Sequence, residues 1–399
     1  MKRLVHPIKD YLFLILIAIL IGIITALFSY AFSKSLTYAT ELRRSLDFWP
    51  YLFLPIVGVV VSIFYKKYAH REERGNNLII DEIHHPSVKI RFRMVPMVFI
   101  ASILSHLFGA SVGREGVGVQ MGAGIADQFS IAHTKRKIIL MMGMSAGFAT
   151  IFSAPYAGAI FGAEVFLSGS LAFSGIIPCL ISAYSGFIII SYLKLNHFNT
   201  AAFAHYDLSI AIIFYTIFLG ISFGLVARTF SFSVHKIKHL SEKWIPSELY
   251  RPFLGGLLII LIFFFMHGDR YLGLGEEIIE RSFIDAILPY DFLGKILSTS
   301  ISAGFGFKGG EVMPLFYIGS TFANIIAKLS HFPLEFVVPL GFVGVFAGAV
   351  NVPLTGSILA VEFFGTEILP YAVIVCILSY IFSGKVGIYH SQIKRYKKF

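Results

Sequence analysis

The stretch Gly113-Arg114-Glu115-Gly116-Val117-Gly118-Val119-Gln120 sets an acidic residue among glycines inside hydrophobic sequence. A second stretch, Gly309-Gly310-Glu311-Val312-Met313-Pro314, has the same character almost half a chain later. An ionisable group at membrane depth is costly, and a helix broken by glycine exposes backbone N–H groups without partners. One such stretch in each half of a chain indicates an anion pathway rather than an enzyme cleft.

The composition is that of a membrane protein. Of 399 residues, 56% are hydrophobic and 14% are charged, whereas a water-soluble domain has about 25% charged residues. Several runs with few or no charges approach the roughly 20 residues that cross a bilayer: 11–29, 95–108, 171–192, 208–227 and 253–266. The shorter runs suit partial or tilted helices. The sequence therefore predicts an all-α polytopic protein of the lipid bilayer.

The basic residues predict how the chain lies in that bilayer. The net charge is +10, and positive charge near helix ends marks the cytoplasmic side. Both termini carry such charge, so we expect both to be cytoplasmic and the number of crossings to be even. Contact with anionic lipid explains this charge better than nucleic-acid binding. The basic clusters are Lys2/Arg3, Lys66/Lys67, Arg71/Arg74, Lys89/Arg91/Arg93, Lys135/Arg136/Lys137 and Lys394/Arg395/Lys397/Lys398.

An internal repeat relates the two halves. A segment around Pro155 recurs around Pro353 with a spacing of 198 residues (353 − 155). The matched pairs are Pro155/Pro353, Gly158/Gly356, Ile160/Ile358, Glu164/Glu362 and Phe166/Phe364. The pairs Gly113/Gly309 and Glu115/Glu311 share a spacing of 196 residues (311 − 115).

Internal repeats in transporters place the substrate site near the bilayer midplane, where broken helices of the two halves meet. We expect residues 1–195 to form the first half, 196–207 a linker, and 208–399 the second half with a short basic cytosolic tail and no soluble regulatory domain. If each half crosses an odd number of times, the halves are inverted.

Glu115 is the strongest candidate for chemistry. Gly113 and Gly116 allow close approach of the backbone to a ligand, and Glu115 stands where a helix opens. An ionised Glu115 can occupy an anion position by accepting those N–H groups, and a protonated one must leave. This competition links a proton to an anion. We expect Arg114 to be structural and to contribute its backbone N–H, although a substrate clamp is the alternative.

Three further residues each have two alternative interpretations. Asn76 follows Gly75 before an apolar run, so it is either an ordinary helix cap or a neutral donor in the passage. Glu311 is a second acidic site or a buried structural acid. Tyr389 is a phenol donor in a semi-dry pore or, judged alone, an aromatic residue of the membrane interface.

The remaining polar features indicate structure rather than chemistry. Glu164 and Glu362 lie inside apolar helices, and we interpret them as helix-end or interhelical contacts. Cys179 and Cys376 have no neighbours typical of ligands, so we expect packing residues and neither a metal nor a cofactor. No His-Glu-x-x-His motif occurs, and we expect no catalytic residues and no enzyme.

These motifs resemble the CLC family of anion channels and proton-coupled antiporters over nearly the whole chain. Residues 113–120 match the family's Gly-Arg-Glu-Gly-Pro-x-Val-Gln signature, with Val117 in place of proline. The chain also lacks Gly-Ser-Gly-Ile-Pro, has Gly-Gly-Glu-Val-x-Pro at 309–314, and has Val165 where well-known chloride/proton exchangers have a proton-transfer glutamate. These four departures resemble the bacterial fluoride/proton antiporter branch, although Met313 stands where that branch often has threonine.

The resemblance implies roles for particular residues. Glu115 would be the gate and proton acceptor, and Asn76 and Tyr389 would contribute side chains to the anion site. Backbone N–H groups of Glu311 and Val312 would face a central anion, and those of Arg114, Gly116 and Met313 an outer one. The family also implies a homodimer with one pore in each subunit.

The sequence thus predicts a proton-coupled fluoride exporter of the cell membrane, a bacterial inner or plasma membrane protein. Its partners would be fluoride, protons and the lipid bilayer, with chloride as a further anion. The alternatives on the same fold are a chloride/proton exchanger and a passive anion channel. An intramembrane hydrolase and a scaffold without transport are the alternatives from other classes.

Overall fold

A computed structural model describes residues 2–129, 133–195, 203, 206–207, 209–266, 268–285 and 287–393, with only the backbone of 2–11 and 133–134. Within these residues the chain forms sixteen α-helices joined by short turns. The first eight are α1 Lys2–Ser45, α2 Trp49–Tyr68, α3 Asn76–His84, α4 Met94–Leu107, α5 Glu115–Ala126, α6 His133–Phe152, α7 Pro155–Glu164 and α8 Ile176–Tyr192. The second eight are α9 Ile210–Trp244, α10 Tyr250–Phe265, α11 Glu276–Ile284, α12 Asp291–Gly304, α13 Val312–Ser330, α14 Leu334–Val350, α15 Pro353–Phe364 and α16 Leu369–Phe382.

Only some of these helices can cross a bilayer alone. Five have the length and hydropathy to do so: Leu12–Ser45, Trp49–Tyr68, Phe173–Tyr192, Ile210–Trp244 and Val312–Ser330. Others are much shorter; α3 and α11 have 9 residues each, which at 1.5 Å per residue cover less than half of a hydrocarbon core about 30 Å thick. The prediction of an all-α membrane fold with broken and partial helices is confirmed.

The two sets of eight helices follow the same order. Helices α4 and α12 both have 14 residues. Helices α3 and α11 both start after a glycine with positive φ, Gly75 at 55° and Gly275 at 77°, a backbone conformation that other residues adopt only with strain. A glycine with positive φ therefore begins the same element in each half, although its ψ differs, −128° at Gly75 and 23° at Gly275.

Contacts between α7 and α15 establish that the halves are inverted. The carboxylate of Glu164, at the end of α7, accepts the N–H groups of Leu354 (3.0 Å) and Thr355 (2.8 Å) at the start of α15. Glu362, near the end of α15, accepts those of Tyr156 (2.9 Å) and Ala157 (2.8 Å) at the start of α7. Equivalent helices thus run antiparallel, each with its amino end satisfied by the other's carboxylate. The interpretation of Glu164 and Glu362 as helix-end contacts is confirmed.

A pair of backbone hydrogen bonds joins the two halves at the centre. Gly113 N–H donates to Gly310 O (2.5 Å), and Gly310 N–H donates to Gly113 O (2.7 Å). The spacing here is 197 residues (310 − 113), so the predicted pairing of Gly113 with Gly309 and of Glu115 with Glu311 is wrong by one position. Glu311 precedes α13 just as Arg114 precedes α5. The two glutamates are therefore not equivalent in the fold.

Helices pack closely where both partners present glycine. In the first half Gly122 of α5 meets Gly143 of α6, and in the second Gly319 of α13 meets Gly341 of α14. In each pair, a Cβ atom on either residue would overlap the other's carbonyl group, so larger residues would push these helices apart. Close packing of α5 on α6 and of α13 on α14 holds the starts of α5 and α13 in place.

The predicted linker and basic tail lie largely outside the described residues. Of 196–207, Phe203, Tyr206 and Asp207 are described, and Phe203 N–H donates to Phe364 O (3.2 Å). Tyr371 Oη donates to Tyr206 O (2.5 Å). These contacts place this part of the segment against α15 and α16. Lys394, Arg395, Lys397 and Lys398 lie outside the described residues, as do the side chains of Lys2 and Arg3.

The two helix-end carboxylates should differ in their contribution to stability. Glu164 is fully buried and also accepts a hydrogen bond from Thr355 Oγ1 (2.6 Å), whereas Glu362 accepts only two backbone N–H groups. We expect Glu164→Ala to cost about 1–3 kcal/mol for each buried donor left without a partner, and Glu362→Ala to cost less. Thermal unfolding of both variants in the same detergent measures the difference. An equal or larger loss in Glu362→Ala would contradict this assignment.

Candidate functional site

The amino ends of α5 and α13 meet at the centre of the molecule. Helix α5 begins at Glu115 and α13 at Val312, and the Gly113–Gly310 bridge lies directly before both. A Cβ atom at Gly310 would lie 2.6 Å from Gly116 N, so glycine is required for this approach. The first N–H groups of a helix have no acceptor within it, and two such sets converge here. The junction therefore attracts negative charge.

The carboxylate of Glu115 occupies this junction. Glu115 is fully buried, and its Oε2 accepts the N–H groups of Arg114 and Met313, each at 3.1 Å. Its Oε1 accepts no hydrogen bond from the described residues and lies 3.7 Å from Arg114 Nε. One carboxylate thus receives donors from both halves of the chain.

The other backbone groups that the sequence singled out lie at the same two helix starts. Gly116 is the second residue of α5, Glu311 directly precedes α13, and Val312 is the first residue of α13. Val312 is buried, with 1% of its surface exposed. Within the described residues, the fold thus brings all five predicted backbone positions to one junction.

Asn76 and Tyr389 meet beside this junction. Asn76 is the first residue of α3, and its Nδ2 donates to Tyr389 Oη at 3.1 Å. The cap residue of the helix is Gly75, and Asn76 Oδ1 accepts no hydrogen bond from the described residues, so the interpretation of Asn76 as an ordinary cap is wrong. Tyr389 is buried, with 5% of its surface exposed, which excludes the membrane-interface interpretation. Nδ2 of Asn76 lies 3.2 Å from the Cβ position of Gly116.

A cavity of about 560 Å³ leads from the surface to these side chains. We call it the Tyr389 vestibule. It is lined by Asn76, Tyr389 and Glu311 at its inner end and by charged residues of both signs elsewhere. Lys308 Nζ and Glu73 Oε1 form an ion pair across the two halves at 2.7 Å. Sequence reasoning missed Lys308, and its place directly before Gly309-Gly310 was the available signal.

A short carboxy-terminal segment holds Tyr389 in position. Ile388 N–H donates to Ala349 O (2.9 Å). The Nε2 of Gln392 donates to Val165 O (2.6 Å) and Val350 O (2.7 Å), at the ends of α7 and α14. Sequence reasoning missed Gln392 because its partners are distant in sequence and no periodicity links them. The segment fixes Tyr389 relative to both halves.

On the other side of the junction, Arg114 lies between two carboxylates. Its Nη1 is 3.1 Å from Oε1 of Glu276, the first residue of α11, and its Nε faces Glu115. Glu276 lines a second cavity of about 550 Å³, which we call the Glu276 cavity. Sequence reasoning also missed Glu276. The expectation that Arg114 contributes its backbone N–H agrees with the contact to Glu115 Oε2.

No group of three or more His, Cys, Asp or Glu residues in the described part of the chain could hold a metal ion. The donors at the junction are backbone N–H groups, an amide and a phenol. Such neutral donors suit an anion. The ionisable groups at the junction are Glu115, Glu311 and the nearby Arg114, so the chemistry available is proton and anion binding.

Comparisons with known proteins agree with this geometry. The family model described as "Voltage gated chloride channel" matches residues 57–384. The chain is 42% identical over 387 residues, 94% of its length and 84% of the relative's, to a "Chloride/fluoride channel protein" of Pseudomonas syringae pv. tomato. It is 24% identical to the H(+)/Cl(-) exchange transporter ClcA of Yersinia pseudotuberculosis, with 90% and 82% covered.

The fold agrees as well. The crystal structure of a CLC-type fluoride/proton antiporter matches with a TM-score of 0.94 and 33% identity, covering 97% of this chain and 99% of that one. The family model spans most of the chain. It includes the junction, the starts of α3 and α11 beside the two cavities, and the inverted repeat. This chain therefore belongs to the voltage gated chloride channel family, the CLC family.

Proposed function

We propose that this chain is a proton-coupled fluoride exporter, a CLC-type F⁻/H⁺ antiporter. The observation that supports it best is the Glu115 carboxylate held by N–H groups of both α5 and α13. An acceptor in this position can be replaced by another anion but not by a neutral group. The names of the 42% identical relative and of the closely matching crystal structure both include fluoride.

The mechanism follows from competition for one set of donors. Ionised Glu115 closes the passage because its carboxylate takes the N–H groups that an anion needs. Protonation removes the charge, the attraction to two helix amino ends weakens, and the side chain leaves. An anion then binds in its place. Because the site is buried, the exchange is not screened by water.

Glu115→Gln tests the gate. A glutamine cannot carry the proton, and it binds the helix starts less strongly because it has no charge. We expect proton flux to fall to the background of empty liposomes while fluoride flux persists. Proteoliposomes with a fluoride electrode and a simultaneous pH record measure both. Unchanged proton-coupled fluoride flux in this variant would refute the gate assignment.

Fluoride is small and strongly hydrated, so its site must replace water with close donors. The amide of Asn76 donates to the Tyr389 oxygen, which leaves the phenol's own proton available to an anion in the passage. Asn76 thereby supports the tyrosine, and its second amide proton is a further donor. A neutral pair of donors binds an anion without holding it as a fixed cation would.

A double-mutant cycle tests this pair. We expect Asn76→Leu and Tyr389→Phe each to weaken fluoride binding about tenfold, since one hydrogen bond to a charged group contributes about 1.5–3 kcal/mol. Their effects should not fully add, because Asn76 acts partly through the Tyr389 phenol to which it donates. Calorimetric fluoride titration of the two single variants and the double variant measures the coupling. Fully additive losses would show that the two side chains act independently.

Glu311 is proposed as the second acidic site. It borders the Tyr389 vestibule, and Tyr389 lies within electrostatic range of both Glu311 and Glu115. In this proposal, a proton released from Glu115 passes Tyr389 and reaches Glu311 at the vestibule. The alternative is a structural acid, and its removal would then destabilise the chain without changing coupling.

Glu311→Gln distinguishes these two roles. For a proton-carrying Glu311, we expect proton flux to fall several-fold while fluoride binding and thermal stability stay at wild-type values. The same proteoliposome assay and a melting curve provide the two readouts. Loss of stability with unchanged stoichiometry would support the structural role instead.

We further propose the placement of the chain in the cell membrane. The carboxy-terminal segment that bears the basic tail lies at the Tyr389 vestibule, and positive charge favours the cytoplasm. That vestibule would then face the cytoplasm together with both termini. We also propose residues 1–195 and 208–399 as the halves, 196–207 as the linker, and a homodimer with a pore in each subunit.

A second candidate function is an anion channel or a chloride/proton exchanger. The word "channel" in the 42% identical relative's name favours the first. Flux of fluoride against chloride, with and without a pH gradient, separates the three. Fluoride flux that a pH gradient cannot drive would indicate a channel.

A further inference from the structure

We propose that Glu276 is a positioning residue that sets the external pH at which Glu115 takes up its proton. It does so by holding the guanidinium of Arg114 away from the gate. This inference rests on the proposed function, which makes Glu115 the gate and the Tyr389 vestibule cytoplasmic. The Glu276 cavity, on the other side of the junction, is then external. Glu276 itself binds neither the proton that is transported nor the anion.

The first support is the geometry of Arg114. Its side chain is only 12% exposed and lies between Glu115, which is fully buried, and Glu276, which is 40% exposed. The distance to Glu276 is 3.1 Å and that to Glu115 is 3.7 Å. One guanidinium therefore serves two carboxylates, and the solvent-facing carboxylate holds it more closely. Every shift of Arg114 towards Glu115 would stabilise the ionised gate.

The second support is the inverted repeat. Asn76 and Glu276 are the first residues of equivalent nine-residue helices, each after a glycine with positive φ. The pseudo-twofold symmetry that relates the two halves therefore places Glu276 at the position equivalent to Asn76. Asn76 lines the Tyr389 vestibule, so Glu276 occupies the corresponding place on the opposite side of the junction. The neutral amide of Asn76 therefore lies at the Tyr389 vestibule, and the carboxylate of Glu276 lies at the Glu276 cavity.

Glu276 is fixed in place by the loop before it. Lys295, buried in α12, donates its Nζ to Gly273 O (2.7 Å) and Tyr271 O (3.3 Å). The loop residue Gly273 also lies against the guanidinium of Arg43 from α1. These contacts hold the start of α11 rigidly, so the distance from Glu276 to Arg114 does not depend on a flexible loop.

Other charged groups face Glu276 from each element around it. Glu277 and Glu280 lie on α11 itself. Burial, followed by the negative charges of Glu276 and Glu277, raises the pKa of Glu280. The remaining groups are Arg114 and Glu115 of α5, Lys295 of α12, Arg43 and Arg44 of α1, and Asp269, Arg270 and Arg281 around the cavity. Among them only Arg114 is in contact with Glu115, and Glu276 lies within electrostatic range of that gate.

The sign of the effect follows from both contributions. The negative charge of Glu276 disfavours a second negative charge on Glu115, and its contact with Arg114 removes positive charge from the gate. Both favour the protonated gate. Loss of the Glu276 charge should therefore make Glu115 harder to protonate from outside, so that a lower external pH is required for the same flux.

The test is Glu276→Gln against the matched control Glu277→Gln. Glu277 is the next residue, is 54% exposed, and pairs with Arg44 (3.4 Å) and Arg281 (3.0 Å) rather than with Arg114. Proton-coupled fluoride efflux from proteoliposomes is recorded as a function of external pH. We expect Glu276→Gln to shift the half-maximal pH downwards by about one unit, the size that a nearby charge produces. Glu277→Gln should leave it unchanged.

The outcomes separate this inference from the proposed function. If wild type shows no proton-coupled fluoride flux, the proposed function fails. If wild type is coupled and Glu276→Gln matches its pH profile, or Glu277→Gln shifts equally, the positioning role is refuted. An equal maximal rate at the lowest pH shows that Glu276→Gln is folded. In a Glu115→Gln background fluoride flux persists without proton coupling. Its dependence on external pH should be the same with and without Glu276→Gln, because the group that Glu276 acts on is gone.

Discussion

Two helix amino ends that meet inside the membrane must be supplied with an acceptor. Helices α5 and α13 bring their first N–H groups together at the Gly113–Gly310 bridge, where the first two residues of each helix are buried. The Glu115 carboxylate satisfies donors from both helices at once. Whatever displaces it must be an anion of suitable size. In the proposed mechanism, gating, proton uptake and anion binding therefore all depend on the same few N–H groups.

The inverted repeat explains why such a junction can exist. Antiparallel equivalents place like helix ends at the same depth, and the exchanged carboxylates of Glu164 and Glu362 hold α7 and α15 in that relation. Function then arises where the two halves differ at equivalent positions. Glu115 corresponds to Val312, Arg114 to Glu311, and Asn76 to Glu276. Each replacement changes the charge at one mouth of the passage, which makes the two sides chemically distinct.

Much of the site could be predicted because it lies in short continuous motifs. A carboxylate among glycines marks a helix start, so the motif at 113–120 identifies Glu115, Arg114 and Gly116. The resemblance to the CLC family adds Met313 of 309–314. The repeat was also visible, yet its register at the junction was wrong by one residue. Matching identical letters paired Glu115 with Glu311, whereas the backbone pairs Gly113 with Gly310. Positions in the two repeats are equivalent when their backbones occupy the same place in the fold, even where their side chains differ.

The sequence by itself determined that this is a membrane protein, because its apolar runs require a bilayer. It also determined where the helices are interrupted, because acids flanked by glycines require a polar break within the bilayer. It could not determine which distant groups would meet. Asn76 and Tyr389 are 313 positions apart, and the role of Asn76 as a partner of the phenol rather than a cap depends on that contact. The link from Arg114 to Glu276 likewise exists only in the folded chain. Tertiary structure decided these roles because a side chain's hydrogen-bond partner is set by packing of whole helices, which local sequence does not encode.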